Sequence, residues 1–244
     1  MKYFPILTKS LIFIFIIFFL FGCYATTHRG PATLKPGQFS GNIGYLHLTG
    51  ADATIDDNPV KLVTVDARAG LLKFWDLGLT RTFDYTDYEG ADVEDMDTYW
   101  VDTKIQVSNL ENDNYLPQIA FGYGIGDLIA DDEEENKLFV NSLYLIIGVP
   151  TEFVTPYYSF RYEHTSDEIK WFPSWAWEED FNTLQKAHII GFEVNAIDLV
   201  KPVVEVGRFY VKDFSDGANV FTVGLNFYLD IFKLMLSDNV SITE

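Results

Sequence analysis

Carboxylates dominate the side chains that could do chemistry. Two runs are dense in them, Asp92-Val93-Glu94-Asp95-Met96-Asp97 and Asp131-Asp132-Glu133-Glu134-Glu135. Hard cations such as Ca²⁺ take several carboxylate oxygens, so divalent cations are a candidate partner. Neither run has the DxDxDG spacing of an EF-hand loop, and both read first as a solvated, self-repelling crown. A hydrolytic reading has little to work with. Asp95-x-Asp97 is an acid pair, and His164 and His188 have Ser159 and Ser166 nearby, but no spacing joins a nucleophile to a base. Trp171, Trp175 and Trp177 crowd one stretch with Phe172 and Phe181. Such aromatics dock at a membrane surface, cap an opening or anchor a partner. No metal-ligand or cofactor motif is present.

Composition excludes several classes. The chain has 244 residues, 36 Asp+Glu against 17 Lys+Arg, and a formal net charge of −19. A nucleic-acid binder needs a basic face to displace counterions, so no nucleic-acid partner is expected. One cysteine excludes a disulfide framework and a CxxC zinc site. Hydrophobic content of 48% with 16% aromatics is far from that of a disordered chain.

The elements that must position these groups begin with an N-terminus of secretory design. Lys2 and Lys9 precede the apolar run Leu11 to Phe21. The run is too short for a comfortable helical span but suits a signal-peptide core. Leu20-Phe21-Gly22-Cys23 resembles the bacterial lipobox, with Phe21 less usual at its position. The resemblance implies that residues 1–22 are a removed signal peptide and that Cys23 carries a covalent lipid. Tyr24 stands where an Asp often retains lipoproteins in the inner membrane, which implies passage to the outer membrane. Residues 23–37, with two prolines and small polar residues, read as a lipidated tether.

Period-two alternation fills the rest. Trp75, Leu77, Leu79, Arg81 and Phe83 alternate with Asp76, Gly78, Thr80 and Thr82. Ten segments follow this rule: 38–48, 60–72, 74–83, 99–109, 115–126, 137–149, 153–164, 186–197, 200–211 and 219–230. Period two gives each strand an apolar and a polar face. The segments match the 9–11 residues of a tilted membrane strand. Long and short connections take turns, as in outer-membrane barrels with long outer loops and short periplasmic turns. Residues 38–230 therefore resemble the small outer-membrane β-barrel proteins. The expected fold is an all-β, antiparallel, up-and-down transmembrane barrel of about ten strands, with residues 231–244 as a C-terminal tail. The resemblance implies the outer membrane of a Gram-negative-type bacterium, with the N-terminus in the periplasm and outer-membrane lipids as partners.

Within that frame Asp66, Arg68, Asp76, Asp102, Lys104, Arg161, Glu163, Glu193 and Glu205 face the lumen. A closed salt-bridge network is the favoured reading over an ion-selective pore. Arg81 falls on the apolar face near the outer rim, where it would meet anionic headgroups. Alternation in 200–211 breaks near Gly207-Arg208, and a bulge there would restore phase. Omptin-type proteases are ten-stranded barrels with paired acids and a His, but their Asp-x-His partner is absent. Barrel lipid-A hydrolases suggest His164 with a serine. The expectation is a structural or surface-binding barrel lipoprotein, not an enzyme. A narrow pore for small solutes comes second, and a rim-site protease or lipid hydrolase third.

Overall fold

We describe the protein from a computed structural model. The structure describes residues 29–50, 54–55, 58–86, 96–130, 138–166, 183–195, 199–211 and 217–231. Cys23, the run 131–135 and Trp171, Trp175 and Trp177 lie outside them.

The strands are β1 Gln38–Thr49, β2 Thr54–Ile55, β3 Asn58–Leu72, β4 Trp75–Asp84, β5 Met96–Gln106, β6 Gln118–Ala130, β7 Leu138–Gly148, β8 Val154–Ser166, β9 Thr183–Val194, β10 Val200–Val211 and β11 Ala218–Asp230. The two-residue β2 pairs only with the start of β3. The other ten pair antiparallel in chain order, and β1 joins both β11 and β3. The sheet is thus a closed ten-strand barrel. Closure satisfies the backbone of strands far longer than the usual 5–6 residues without leaving an edge.

Alternation sorts the side chains. Leu79 is 60% exposed and Ile190 53%, with Phe121, Val101 and Phe221 also on the outer wall. Asp76, Thr82, Asn226 and Thr222 point inward and are buried. The outer face carries many large apolar side chains in the open, unlike the scattered single ones of a soluble monomer.

Three differences from the sequence reading have physical causes. The first is the connection between β5 and β6, which spans residues 107–117 and is longer than alternation suggests. Val107 and Tyr115 continue the pattern, but Asn109, Asn112 and Tyr115 take φ of 48°, 61° and 65° and turn the chain. The Asn109 amide donates to the carbonyls of Asp113 and Leu116, which folds the turn on itself. The second is β10, which has no bulge. Its register with β9 and β11 is continuous through Gly207 and Arg208, and Arg208 simply faces outward. The third, the fate of the tether, belongs to the lumen. At the same end as the 107–117 turn, the Lys73 ammonium donates to Glu111 and holds its carboxyl below the ordinary range.

β7 is apolar on both faces because its inward residues fill the barrel. Tyr144 lies across from Gly122 of β6, and Tyr157 of β8 across from Gly191 of β9. A Cβ at Gly122 would collide with the Tyr144 ring, and one at Gly191 with the Tyr157 ring. Tyr144, Ile146, Tyr157 and Val203 form one buried cluster. Gly122→Ala should therefore overpack the interior and cost about 1–3 kcal/mol. A lower denaturant midpoint in detergent would show it, with Gly41→Ala, where a Cβ meets nothing closer than 3.6 Å, as the neutral control.

Candidate functional site

The inward faces of β3, β4, β5, β8 and β9 bring Asp66, Arg68, Asp76, Asp102, Lys104, Arg161, Glu163 and Glu193 into one lumen. Arg68 forks between the carboxylates of Asp76 and Asp102. The Tyr144 hydroxyl donates to Asp102 at 2.5 Å, and Lys104 Nζ lies 3.7 Å from Asp76. Asp76 is 0% exposed. A buried charge is tolerated when opposed or hydrogen-bonded, and the carboxylates here are held in different ways, although one oxygen each of Asp66 and Glu163 is buried without a hydrogen-bond donor among the described residues. Glu193 accepts from Asn226 at 2.8 Å, Tyr228 at 3.1 Å and Lys201 at 3.2 Å. Glu205 accepts from Tyr157 at 2.6 Å and Thr222 at 3.0 Å. Arg161 pairs with Glu163 at 2.5 Å, donates to Ser142 at 2.9 Å and stacks 4.7 Å over the Trp100 ring.

The segment read as a solvated tether is, over its described part, inside the barrel. The Leu34 amide donates to Asp76 Oδ2 at 3.2 Å, and the Thr33 amide to Gln106 Oε1 at 2.8 Å. The Thr33 hydroxyl donates to the Lys73 carbonyl at 3.1 Å. Lys104 Nζ reaches the carbonyls of Ala32 at 2.6 Å and Gly30 at 3.4 Å. Arg29 is ion-paired with Asp66. Gly70 makes room for this segment, since a Cβ there would lie 2.7 Å from the Leu34 carbonyl oxygen and nearer still to that of Lys35. Composition misled because small residues and prolines suit a linker and a narrow lumen equally. Proline brings no N–H that would need a buried acceptor.

One signal was available in the sequence. The inward carboxylates outnumber the strand-borne bases Arg68, Lys104, Arg161 and Lys201, which leaves room for a further cation. Arg29 supplies it. Tyr144, Tyr157 and Tyr228 were also missed, because phenols alternate with apolar residues as readily as Phe does.

Little space remains. A cavity of about 40 Å³ persists among Arg29, Asp66, Arg68, Trp100, Tyr144 and Arg161, room for a few waters. Toward the long connections, Leu46, Leu48, Leu62 and Val220 pack into an apolar cluster. The lumen is therefore filled by the N-terminal segment at the short-turn end, ion pairs in the middle and an apolar group toward the loops.

Among the described residues, Ser159, His164 and His188 are not assembled for hydrolysis. Ser159 is fully buried on the lumen side. His188 is on the outer wall, with Nδ1 2.6 Å from the Tyr158 hydroxyl, and His164 has the outward register of Asn141. Ser159 and both histidines thus lie on opposite faces of the sheet. Among the described residues no group of acids, histidines or cysteines is arranged to hold a metal ion.

No protein-family model matches the chain, and no curated protein does. Solved structures of similar shape include the outer membrane protease OmpT from Escherichia coli, with TM-score 0.42 and 11% identity over 82% of this chain and 100% of that one. The KdgM porin gives 0.37 and 11%, over 76% and 98%. Ail, the attachment invasion locus protein of Yersinia pestis, gives 0.30 and 11%, over 80% and 99%. Protease, porin and attachment protein differ in what they do, and no activity passes from them to this chain.

The Arg68 fork is the joint of the lumen. Arg68→Met should strand Asp76 and Asp102 and cost about 3–5 kcal/mol. Adding Asp76→Asn should recover part of that loss, read as a return of the unfolding midpoint in detergent.

Proposed function

We propose that the chain is an outer-membrane lipoprotein whose barrel is a sealed support for acidic surface loops, with a structural or binding role at the cell surface. The apolar outer wall supports a lipid environment, where a closed sheet is one of two folds that satisfy every backbone group. The end whose connections carry most of the acids suits the outer side, and the end with the tight turn at Lys73 suits the periplasm. The lipobox-like Leu20-Phe21-Gly22-Cys23 supports an acyl anchor at Cys23, worth about 0.8 kcal/mol per buried CH₂.

The observation that carries the sealed reading, against a narrow pore, is the N-terminal segment bonded across the lumen by Thr33, Leu34 and Lys104. Its polar partners are the charges a pore would use. The acidic loops then become the working surface, with divalent cations bridging their carboxylates as the chemically natural visitors.

In planar bilayers the full chain should give no conductance steps, because the N-terminal segment, the ion pairs and the apolar cluster close the lumen in turn. An open-channel signal from the full chain would make the barrel a pore instead. Labelled fatty acid should be incorporated by cells making the protein, and Cys23→Ala should abolish it. Label retained by the variant would remove the lipoprotein part of the reading and leave the barrel intact.

A further inference from the structure

The outward register of the described strands carries its bases in one zone only. Lys61 on β3, Arg81 on β4, Lys186 on β9 and Arg208 on β10 all lie toward the long connections. Asp97 on β5 and Asp127 on β6 are the acids whose register falls in this zone. In a chain with twice as many acids as bases, the belt inverts the composition. Arg81 stands eight residues from the turn at Lys73, while Lys186 and Arg208 stand nine from Asn195 and Leu199. At 3.3–3.4 Å per residue and a tilt near 45°, that is a height of about 19–21 Å, near the top of an apolar band about 25 Å tall.

Aromatic rings hold these cations against the wall. The Arg81 guanidinium lies 4.2 Å from the Phe83 ring and 4.8 Å from Tyr99. Lys186 lies 5.9 Å from Tyr162, and Arg208 5.5 Å from Tyr210. Stacking on the planar face of a guanidinium holds it against the wall.

Two seats result, about half the ring apart. In one, Lys186 is opposite Tyr210 and Arg208 opposite His188 on adjoining strands. His188 meets Tyr210 edge-on, so two cations and an imidazole share one patch. In the other, Arg81 borders a groove of about 490 Å³ in the outer wall, lined mostly by apolar groups of Leu79, Val101, Ile125, Phe139 and Ala67, with Asp127 also on its lining. That is the volume range of ligand sites, about 300–1,000 Å³.

We propose that this belt binds lipids of the outer leaflet whose phosphate head carries a net negative charge. Phosphate oxygens meet Arg81 while an acyl chain lies in the groove beside it, and a second headgroup sits between Lys186 and Arg208. The proposal rests on the membrane reading above. Charge complementarity selects the occupant: a cation over an apolar slot fits a molecule with an anionic head and a hydrocarbon tail. A guanidinium binds phosphate bidentately, whereas simple snorkelling of a long side chain needs no particular headgroup.

The test uses the purified full chain in detergent, given equal amounts of dimyristoyl phosphatidic acid and dimyristoyl phosphatidylcholine, with retained lipid counted by native mass spectrometry. Phosphatidic acid should be retained over phosphatidylcholine by about tenfold or more, the scale of one charge-assisted bond. R81Q/K186Q/R208Q should lose the preference while keeping the heat-dependent gel mobility of a folded barrel. R81Q alone should lower the retained phosphatidic acid from two molecules to one. Equal retention by wild type and folded triple variant overturns the proposal and leaves the barrel reading standing. A wild-type chain with no heat-dependent mobility shift and no retained lipid overturns the membrane reading itself.

Discussion

A ten-strand ring must fill its own interior, and this one fills it with carboxylates. That choice governs the rest of the structure. Water solvates a carboxylate at little cost, but a lumen this narrow holds few waters, so the protein has to supply cations and hydroxyls at fixed places. Arg68 answers Asp76 and Asp102, and Tyr157 with Thr222 answers Glu205. The tyrosines need depth to reach across, which the glycines opposite them on β6 and β9 provide. The N-terminal segment completes the interior, giving Arg29 to Asp66 and main-chain groups to Asp76, Gln106 and Lys104. One electrostatic requirement thus explains the glycine positions, the phenols and the inward turn of the chain.

The same requirement shows which parts of the molecule could be read from residues alone. Strand positions were legible because period two is a property of single residues, and the inward charges followed from parity. Their partners were not, because a hydrogen bond joins residues such as Thr33 and Gln106 whose proximity no local pattern encodes. β7 departs from the period-two rule because Val140, Tyr144 and Ile146 face the lumen, where other strands place polar residues. The interior is polar on average and apolar where Tyr144 and Tyr157 cross it.

Arg208 is the instructive misreading. An arginine in an apolar register looked like a fault in the strand that a bulge would repair. Continuous pairing from Val203 to Val211 shows no fault. What changes at Arg208 is the medium outside the wall, because a residue nine positions above the short turn has left the middle of the apolar band. A charge that costs about 2–4 kcal/mol at the midplane costs little near the interface. Register and environment are independent variables, and a pattern that assumes one environment for a whole strand misplaces its ends.

The two populations of bases then divide by role. Arg29, Arg68, Lys104, Arg161 and Lys201 pair with interior acids that outnumber them. Arg81, Lys186 and Arg208 face outward, each over a ring. The loops above them hold most of the acids, so a base at that height is drawn upward by the loops and outward by lipid phosphate. Stacking on Phe83, Tyr99, Tyr162 and Tyr210 biases that competition, because it fixes the cation against the wall where lipid passes. The aromatic residues of the rim therefore do more than mark the membrane boundary. They hold positive charge on the lipid side of a protein whose net charge is strongly negative.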